Sequence, residues 1–154
     1  MMKKAALILI LCLCAALCGC TAREAQIPQT CAGIADSVQA AAPFAALTDA
    51  TEAYLEKYLL IDASTLDAWI MRRDATRATP EMILVMQVKD GYLPEIRQAV
   101  QEYHDEQLFQ YRDYQPDQMF KLENAKVLEK GSFIALIVSP DAAKTNAALG
   151  DGWK

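Results

Sequence analysis

Histidine is almost absent from this sequence, since His104 is the only one among 154 residues. No second histidine can complete an H-E-x-x-H motif or another common zinc-ligand spacing, so we expect no metal site and no bound cofactor. The G-x-S-x-G motif of many serine hydrolases is also missing. His104 falls at the rim of a predicted apolar helix stripe, which favours a residue covering the core edge over a ligand or general base.

Basic residues are in the minority, with 15 lysines and arginines against 20 aspartates and glutamates and a formal net charge of −5. A surface of this sign repels nucleic-acid phosphates, so nucleic acid is not an expected partner. The same charge disfavours binding to an anionic bilayer through the surface as a whole. Membrane attachment therefore has to come from another feature of the chain.

Long hydrophobic runs are limited to one, from Ala5 to Leu17, which is shorter than the roughly 20 residues that span a bilayer. Lys3 and Lys4 precede this run, as in a secretory signal peptide. The segment Leu17-Cys18-Gly19-Cys20 then resembles the lipobox of bacterial lipoproteins. The resemblance implies cleavage before Cys20, acylation of its sulfur with palmitate-type chains, and a lipid anchor on the extracytoplasmic face of the cell membrane. The alternative is an ordinary signal peptide that is cut elsewhere.

Cysteine is scarce beyond this leader, because four of the five cysteines lie at or before position 20. Only Cys31 remains, so no intrachain disulfide is expected. Cys31 shares a helical stripe with Ile34 and Val38, which favours a core or interface cysteine. A nucleophile that uses His104 as its base is the alternative.

The chain divides into four parts in this interpretation. Residues 1–19 are the signal peptide, and the polar residues 20–30, with Pro28, form a tether to the membrane. Residues 31–148 form a single domain, and residues 149–154 form a C-terminal tail. The apolar periodicities predict an α+β domain in the order α-α-β-β-α-β-β-α, with an antiparallel sheet of about four strands backed by helices.

Individual elements follow from the same patterns. Both faces of Glu81–Lys89 are apolar, which predicts a central strand. Leu66–Arg72 carries a charge on one face and is predicted to be an edge strand. A long helix is expected from Pro94 to about Tyr114. Thr48-Asp49 and Ser139 are the predicted N-caps of two further helices.

Several short patterns occur together in the domain. Thr79-Pro80-Glu81 opens an apolar strand, Tyr111-x-x-Tyr114-x-Pro116 closes the long helix, and Leu122-x-x-Ala125 and Gly131 precede an apolar strand that ends in Ser139. This arrangement resembles an uncharacterised family of small lipoproteins, defined as a domain of unknown function and found mainly in Gram-positive anaerobes. The resemblance covers roughly residues 31–148 and implies no activity and no catalytic residues.

Arg72, Arg73 and Arg77 lie within six residues of one another in an otherwise acidic protein. Guanidinium groups on a loop suit phosphate or carboxylate recognition, so these arginines are the candidate binding site. The alternative is a solvated loop with salt bridges to Asp74 and Glu81. Phe109 is a second candidate, because an aromatic residue on a charged helix face can contact a partner. Covering of Phe109 by the loop after Pro116 is equally open.

These observations predict a membrane-anchored extracytoplasmic lipoprotein that acts as a non-enzymatic binding or accessory domain of the cell envelope. Its expected partners are the membrane, through the N-terminal lipid, and an anionic envelope polymer or a protein. The competing interpretations are a cell-envelope hydrolase and an accessory subunit of a surface-polymer modifying system. Whether polar residues converge in one cleft discriminates an enzyme from a binding domain, and in the sequence they do not cluster beyond the arginine loop.

Overall fold

The computed structural model describes residues 29–154, in which five strands form one antiparallel sheet in the order β1-β2-β3-β5-β4. The strands are β1 Thr48–Asp49, β2 Leu66–Arg73, β3 Met82–Val88, β4 Val127–Lys130 and β5 Phe133–Val138. The α-helices of the same region are α1 Cys31–Ala41, α2 Glu52–Tyr54, α3 Leu93–Tyr114, α4 Met119–Glu123 and α5 Ala142–Leu149. The predicted α+β class and the antiparallel sheet are confirmed, and the short β1 is the strand that the sequence patterns did not indicate.

The sheet is covered by helices on both faces. One core cluster joins the β3 residues Met82, Leu84 and Met86 to α2, α3 and α4. The other joins Ile83 and Val85 to α1 and α5. Because alternate side chains of a strand point to opposite faces, the uniformly apolar β3 supplies both clusters. Its predicted central position is confirmed by its pairing with β2 and β5.

The end of β2 is not a sheet edge, contrary to the prediction. Thr48 pairs with Arg73 and Asp49 pairs with Arg72, so β1 covers the last two residues of β2. Thr48-Asp49 is therefore a strand and not an N-cap. The cap is Thr51, whose hydroxyl accepts a hydrogen bond from the Tyr54 backbone N–H.

The second helix does not continue as a regular α-helix. After α2 the chain forms a π-helical turn at Leu55–Leu59, and Leu60 ends it with φ +56°. This turn places Leu55 and Leu59 in the core and leaves Tyr58 at the surface. A 3-10 turn at Ala63–Thr65 then leads into β2.

The long helix is confirmed as α3, and its last turn is followed by a 3-10 turn at Pro116–Gln118. The last helix begins later than predicted, because Asp141 caps α5 through the Lys144 N–H while Ser139 accepts from the Asp141 N–H. The predicted hairpin around Gly131 is confirmed by the pairing of β4 with β5.

The last residues, which the sequence suggested as a tail, lie against the domain. Leu149 and Trp153 pack on the α1 side of the sheet. Lys154 and Glu129 exchange two backbone hydrogen bonds of 2.9 and 3.1 Å along the outer side of β4. Among residues 29–154 no helix combines the length and apolar character that crossing a membrane requires.

Candidate anion-binding cleft

A cleft of about 280 Å³ opens where β2 ends and β3 begins. One wall comes from α2 and its π-helical turn, the opposite wall from α3, and the third side from the β2–β3 loop. The lining includes Tyr54, Tyr58, Arg73, Arg77, Tyr103, Gln107, Gln110 and Tyr111. The polar residues therefore converge here, on the sheet face that carries α3.

Asp74 holds the β2–β3 loop in shape. Its Oδ1 accepts hydrogen bonds from the backbone N–H (2.8 Å) and the hydroxyl (2.6 Å) of Thr76, and its Oδ2 accepts from the Thr79 N–H (3.0 Å). An aspartate at the start of a turn commonly bonds backbone groups two residues ahead in this way. Burial opposes ionisation, but the hydrogen bonds from Thr76 and Thr79 together hold the pKa of the Asp74 carboxyl below its usual value. The loop that carries Arg77 is thus fixed by an ionised carboxylate.

Arg77 has a left-handed backbone with φ +62° and an exposed side chain. Such a conformation costs a non-glycine residue about 1–2 kcal/mol, so the surrounding turn must impose it. Arg77 lines the same cleft as Tyr111. Burial is the main cause that raises the pKa of Tyr111; the negative charge of Asp74 raises it further and the positive charge of Arg77 lowers it.

A buried ion pair lies beneath the loop. Lys121 Nζ of α4 donates to Glu81 Oε1 at 2.6 Å, and the two side chains are only 10% and 5% exposed. Glu81 Oε2 accepts from the Ala45 N–H at 2.6 Å, and Lys121 also donates to the Thr79 hydroxyl at 3.2 Å. This network joins α4, the start of β3 and the chain before β1 under the floor of the cleft.

Three of the four tyrosines that line the cleft have hydroxyls in hydrogen bonds. The hydroxyls of Tyr54 and Tyr103 are 3.0 Å apart, and the Tyr111 hydroxyl donates to the Thr79 carbonyl at 3.0 Å. Burial is the main cause that raises the pKa of both Tyr103 and Tyr111. The phenols of Tyr103 and Tyr111 therefore stay protonated at neutral pH and act as hydrogen-bond donors.

Arg73 is positioned by aromatic stacking. Its guanidinium carbon lies 4.2 Å from the centre of the Tyr54 ring, and Nη1 donates to the Asp74 carbonyl at 3.1 Å. Tyr58 continues the row, with its ring centre 4.4 Å from that of Tyr54, and Lys57 Nζ lies 5.1 Å from the Tyr58 ring. Stacking orders the arginine and leaves other guanidinium N–H groups available.

The three predicted arginines do not form one group. Arg72, which precedes Arg73 on a strand, points to the opposite sheet face, where it forms ion pairs with Asp36 (2.7 Å) and Asp49 (3.4 Å). It also donates to Gln39 at 2.8 Å. By contrast, Arg73 and Arg77 form no ion pair with a carboxylate of residues 29–154, although salt bridges to Asp74 and Glu81 were the expected alternative. Those two carboxylates are bound instead to Thr76, Thr79 and Lys121.

The other predicted residues lie elsewhere. Phe109 is 64% exposed on α3 outside the cleft lining, so the loop after Pro116 does not cover it. His104 is buried more deeply than a rim residue, and its Nε2 lies 2.9 Å from the Leu122 carbonyl oxygen. Cys31 is buried in the α1 cluster, as predicted, and desolvation raises the pKa of its thiol. The predicted lipidation site Cys20 lies outside the described residues.

No cluster of three or more histidine, cysteine, aspartate or glutamate side chains suited to a metal ion occurs within residues 29–154. The residues of the cleft and of the ion pair beneath it that sequence reasoning missed are Tyr54, Tyr103 and Lys121, and it gave Asp74 and Glu81 only as ion-pair partners of the arginines. Because side chains alternate along a strand, the β2 pattern was a signal that Arg72 and Arg73 point to opposite faces of the sheet. No local pattern connects Glu81 with Lys121, which is 40 residues away.

These observations define a class of protein: a mixed α+β domain with a cleft at one end of its sheet that is lined by arginines and tyrosines. Residues 40–139 match the family model described as a domain of unknown function, DUF4358, and the chain belongs to this family. The matched region contains every residue that lines the cleft. Neither curated proteins nor solved structures gave a significant match to the chain. The predicted domain of unknown function is confirmed, while the lipoprotein character of its members stays a prediction.

Proposed function

We propose that this protein is a lipid-anchored, extracytoplasmic lipoprotein whose domain binds an anionic component of the cell envelope without catalysing its conversion. The single observation that carries the binding role is the pair Arg73 and Arg77 in one cleft, with no ion-pair partner among residues 29–154. Arginine recognises phosphate and carboxylate groups through several N–H donors in a fixed plane. In a protein with a net charge of −5, two such groups side by side favour an anionic ligand.

Binding is favoured over hydrolysis by the state of the cleft carboxylates. Asp74 is engaged by Thr76 and Thr79, and Glu81 is engaged by Lys121 and the Ala45 N–H. A general acid or base has to exchange a proton with a ligand, and these two buried groups are committed to the scaffold. The third cleft carboxylate, the exposed Glu106, accepts a hydrogen bond from the Gln110 amide at 2.7 Å. The bonds of Asp74 and Glu81 support a preformed binding site instead.

The binding role is tested with the double variant Arg73→Gln/Arg77→Gln and poly(glycerol phosphate) as the probe. Hydrogen bonds to charged groups contribute about 1.5–3 kcal/mol each, so affinity should fall by roughly tenfold per arginine. Arg72→Gln is the control for each single arginine change, since it removes one positive charge on the opposite sheet face. Binding of the native protein should weaken as ionic strength rises.

Equal affinities of the double variant and of Arg72→Gln for this polymer would contradict the proposed binding role. Loss of binding that accompanies unfolding of the double variant, with unchanged affinity per folded molecule, would contradict it as well. Urea unfolding of each variant supplies the folded fraction.

The anchoring role depends on Cys20 and is tested separately. Cells that express the native protein should incorporate a palmitate analogue into it, and the Cys20→Ala variant should not. Cys18→Ala is the matched control, because it removes a neighbouring thiol of the same segment and should keep the label. Equal labelling of the native protein and Cys20→Ala would exclude lipidation at this position.

A further inference from the structure

We infer that the cleft takes an acidic sugar, meaning a single hexose unit that carries a phosphate or carboxylate group. This inference rests on the proposed function and specifies its ligand. The cleft has a cationic side, formed by Arg73 and Arg77, and a second side with the Tyr58 ring, the Gln107 amide and the Glu106 carboxylate, which can accept hydrogen bonds from sugar hydroxyls. A ligand that satisfies both sides has one charged group and a flat body with several hydroxyls.

The cationic side recognises the charged group. Arg73 is held against Tyr54 and donates one N–H to the Asp74 carbonyl, so it enters the complex already ordered. Preorganisation of this kind reduces the entropy lost on binding. Arg77 is fixed through its turn and has an exposed side chain that reaches the same cleft.

The remaining lining suits a sugar ring. The Tyr58 ring is 42% exposed on the cleft wall, and an aromatic ring packs against the C–H face of a sugar while leaving the hydroxyls free. Only one of the two hydroxyl protons of Tyr54 and Tyr103 is used in the bond between them, so the other can be donated. The Gln107 amide both donates and accepts, as recognition of sugar hydroxyls requires.

The size of the cleft limits the ligand to one unit. Its volume of about 280 Å³ lies just below the range for small-molecule sites, about 300–1,000 Å³. One hexose with its charged substituent fits such a space. A polymer is therefore recognised by an end or a side unit, with the rest of the chain outside.

The experiment compares four probes by titration calorimetry: glucose 6-phosphate, glucuronate, glucose and inorganic phosphate. Each acidic sugar should bind at least roughly tenfold more tightly than glucose, because glucose lacks the charged group with which the arginines form charge-assisted hydrogen bonds. Glucose 6-phosphate should also bind more tightly than inorganic phosphate. The two acidic sugars distinguish a phosphate-bearing source from a carboxylate-bearing one.

The aromatic contribution is tested with Tyr58→Ala, which should weaken both acidic sugars by roughly three- to tenfold and leave inorganic phosphate unaffected. Tyr58→Phe should retain the affinity, since the ring is kept. Tyr114→Ala is the matched control, because Tyr114 is a 71% exposed tyrosine outside the cleft lining. Thermal unfolding of the three variants identifies any loss that comes from misfolding.

Equal affinity for inorganic phosphate and glucose 6-phosphate would overturn the inference, and so would an unchanged affinity in Tyr58→Ala. Absence of binding by all acidic sugars, while Arg73 and Arg77 still mediate binding to poly(glycerol phosphate), would overturn the sugar inference alone. The proposed anion-binding role fails separately, when removal of the two arginines leaves polymer binding unchanged.

Discussion

Replacing Lys121 by methionine should destabilise the protein by about 3–5 kcal/mol, which is typical of removing one partner of a buried ion pair. The structure supports the full effect, because the Nζ–Oε1 distance to Glu81 is 2.6 Å and neither side chain is more than 10% exposed. Methionine preserves the approximate volume, so the loss measures the uncompensated Glu81 charge rather than a cavity. Domains of this size have total stabilities of about 5–15 kcal/mol, and the thermal midpoint should fall by roughly 10 °C or more.

Urea unfolding followed by circular dichroism gives the free energy of unfolding of Lys121→Met, of Glu81→Gln and of the double variant. The double variant should be more stable than the sum of the two losses predicts, by about 1–3 kcal/mol, because each change alone leaves the other group unpaired. Lys144→Met is the matched control, since its ion pair with Asp141 is exposed and its unfolding midpoint should stay nearly unchanged. A Lys121→Met variant as stable as this control, or strict additivity in the double variant, would refute the reasoning.

Three further changes test other parts of the structure. Asp74→Asn should be less stable than the native protein above about pH 4, because it lacks the carboxylate that accepts from Thr76 and Thr79. The difference should vanish as the pH falls through the lowered pKa of Asp74, since the native side chain then loses the same negative charge; a pH-independent difference would contradict this. Arg77→Gly should weaken binding of poly(glycerol phosphate). Its free energy of unfolding should stay the same or rise by up to about 1 kcal/mol, since glycine accepts φ +62° without strain. Marked destabilisation would assign the arginine a structural role. Cys31 should react with a thiol reagent only on unfolding, and Cys31→Ala should cost about 1 kcal/mol; rapid labelling of the folded protein would indicate an exposed thiol.

The sequence was sufficient for the elements whose patterns are long and regular. The uniformly apolar run around β3 predicted a strand buried on both faces, and the helical stripe predicted α3 nearly to its ends. Tyr92, just before α3, and Tyr114, its last residue, are nevertheless exposed although they continue the spacing of the stripe. Periodicity indicates which way a side chain points, but not how far the neighbouring layer extends.

Short elements and long-range pairs could not be predicted in the same way. β1 has only two residues, and its pairing depends on the position of Arg72 and Arg73 rather than on any alternation of its own. His104 is buried because α4 packs against α3 and offers the Leu122 carbonyl, a contact between residues 18 positions apart. The three neighbouring arginines were evident from the sequence. That Arg72 points away from the cleft follows only when the alternation of side chains along β2 is applied to each arginine.

The position of α1 places the start of the described chain at the end of β2 that is away from the cleft. Cys31, the first residue of α1, lies with its sulfur 3.6 Å from the Ala68 carbonyl, whereas the cleft begins at Arg73. Five strand residues separate these points, or about 17 Å along the sheet. Attachment through the segment before Thr30 and occupation of the cleft would therefore use opposite ends of β2, so that one does not obstruct the other.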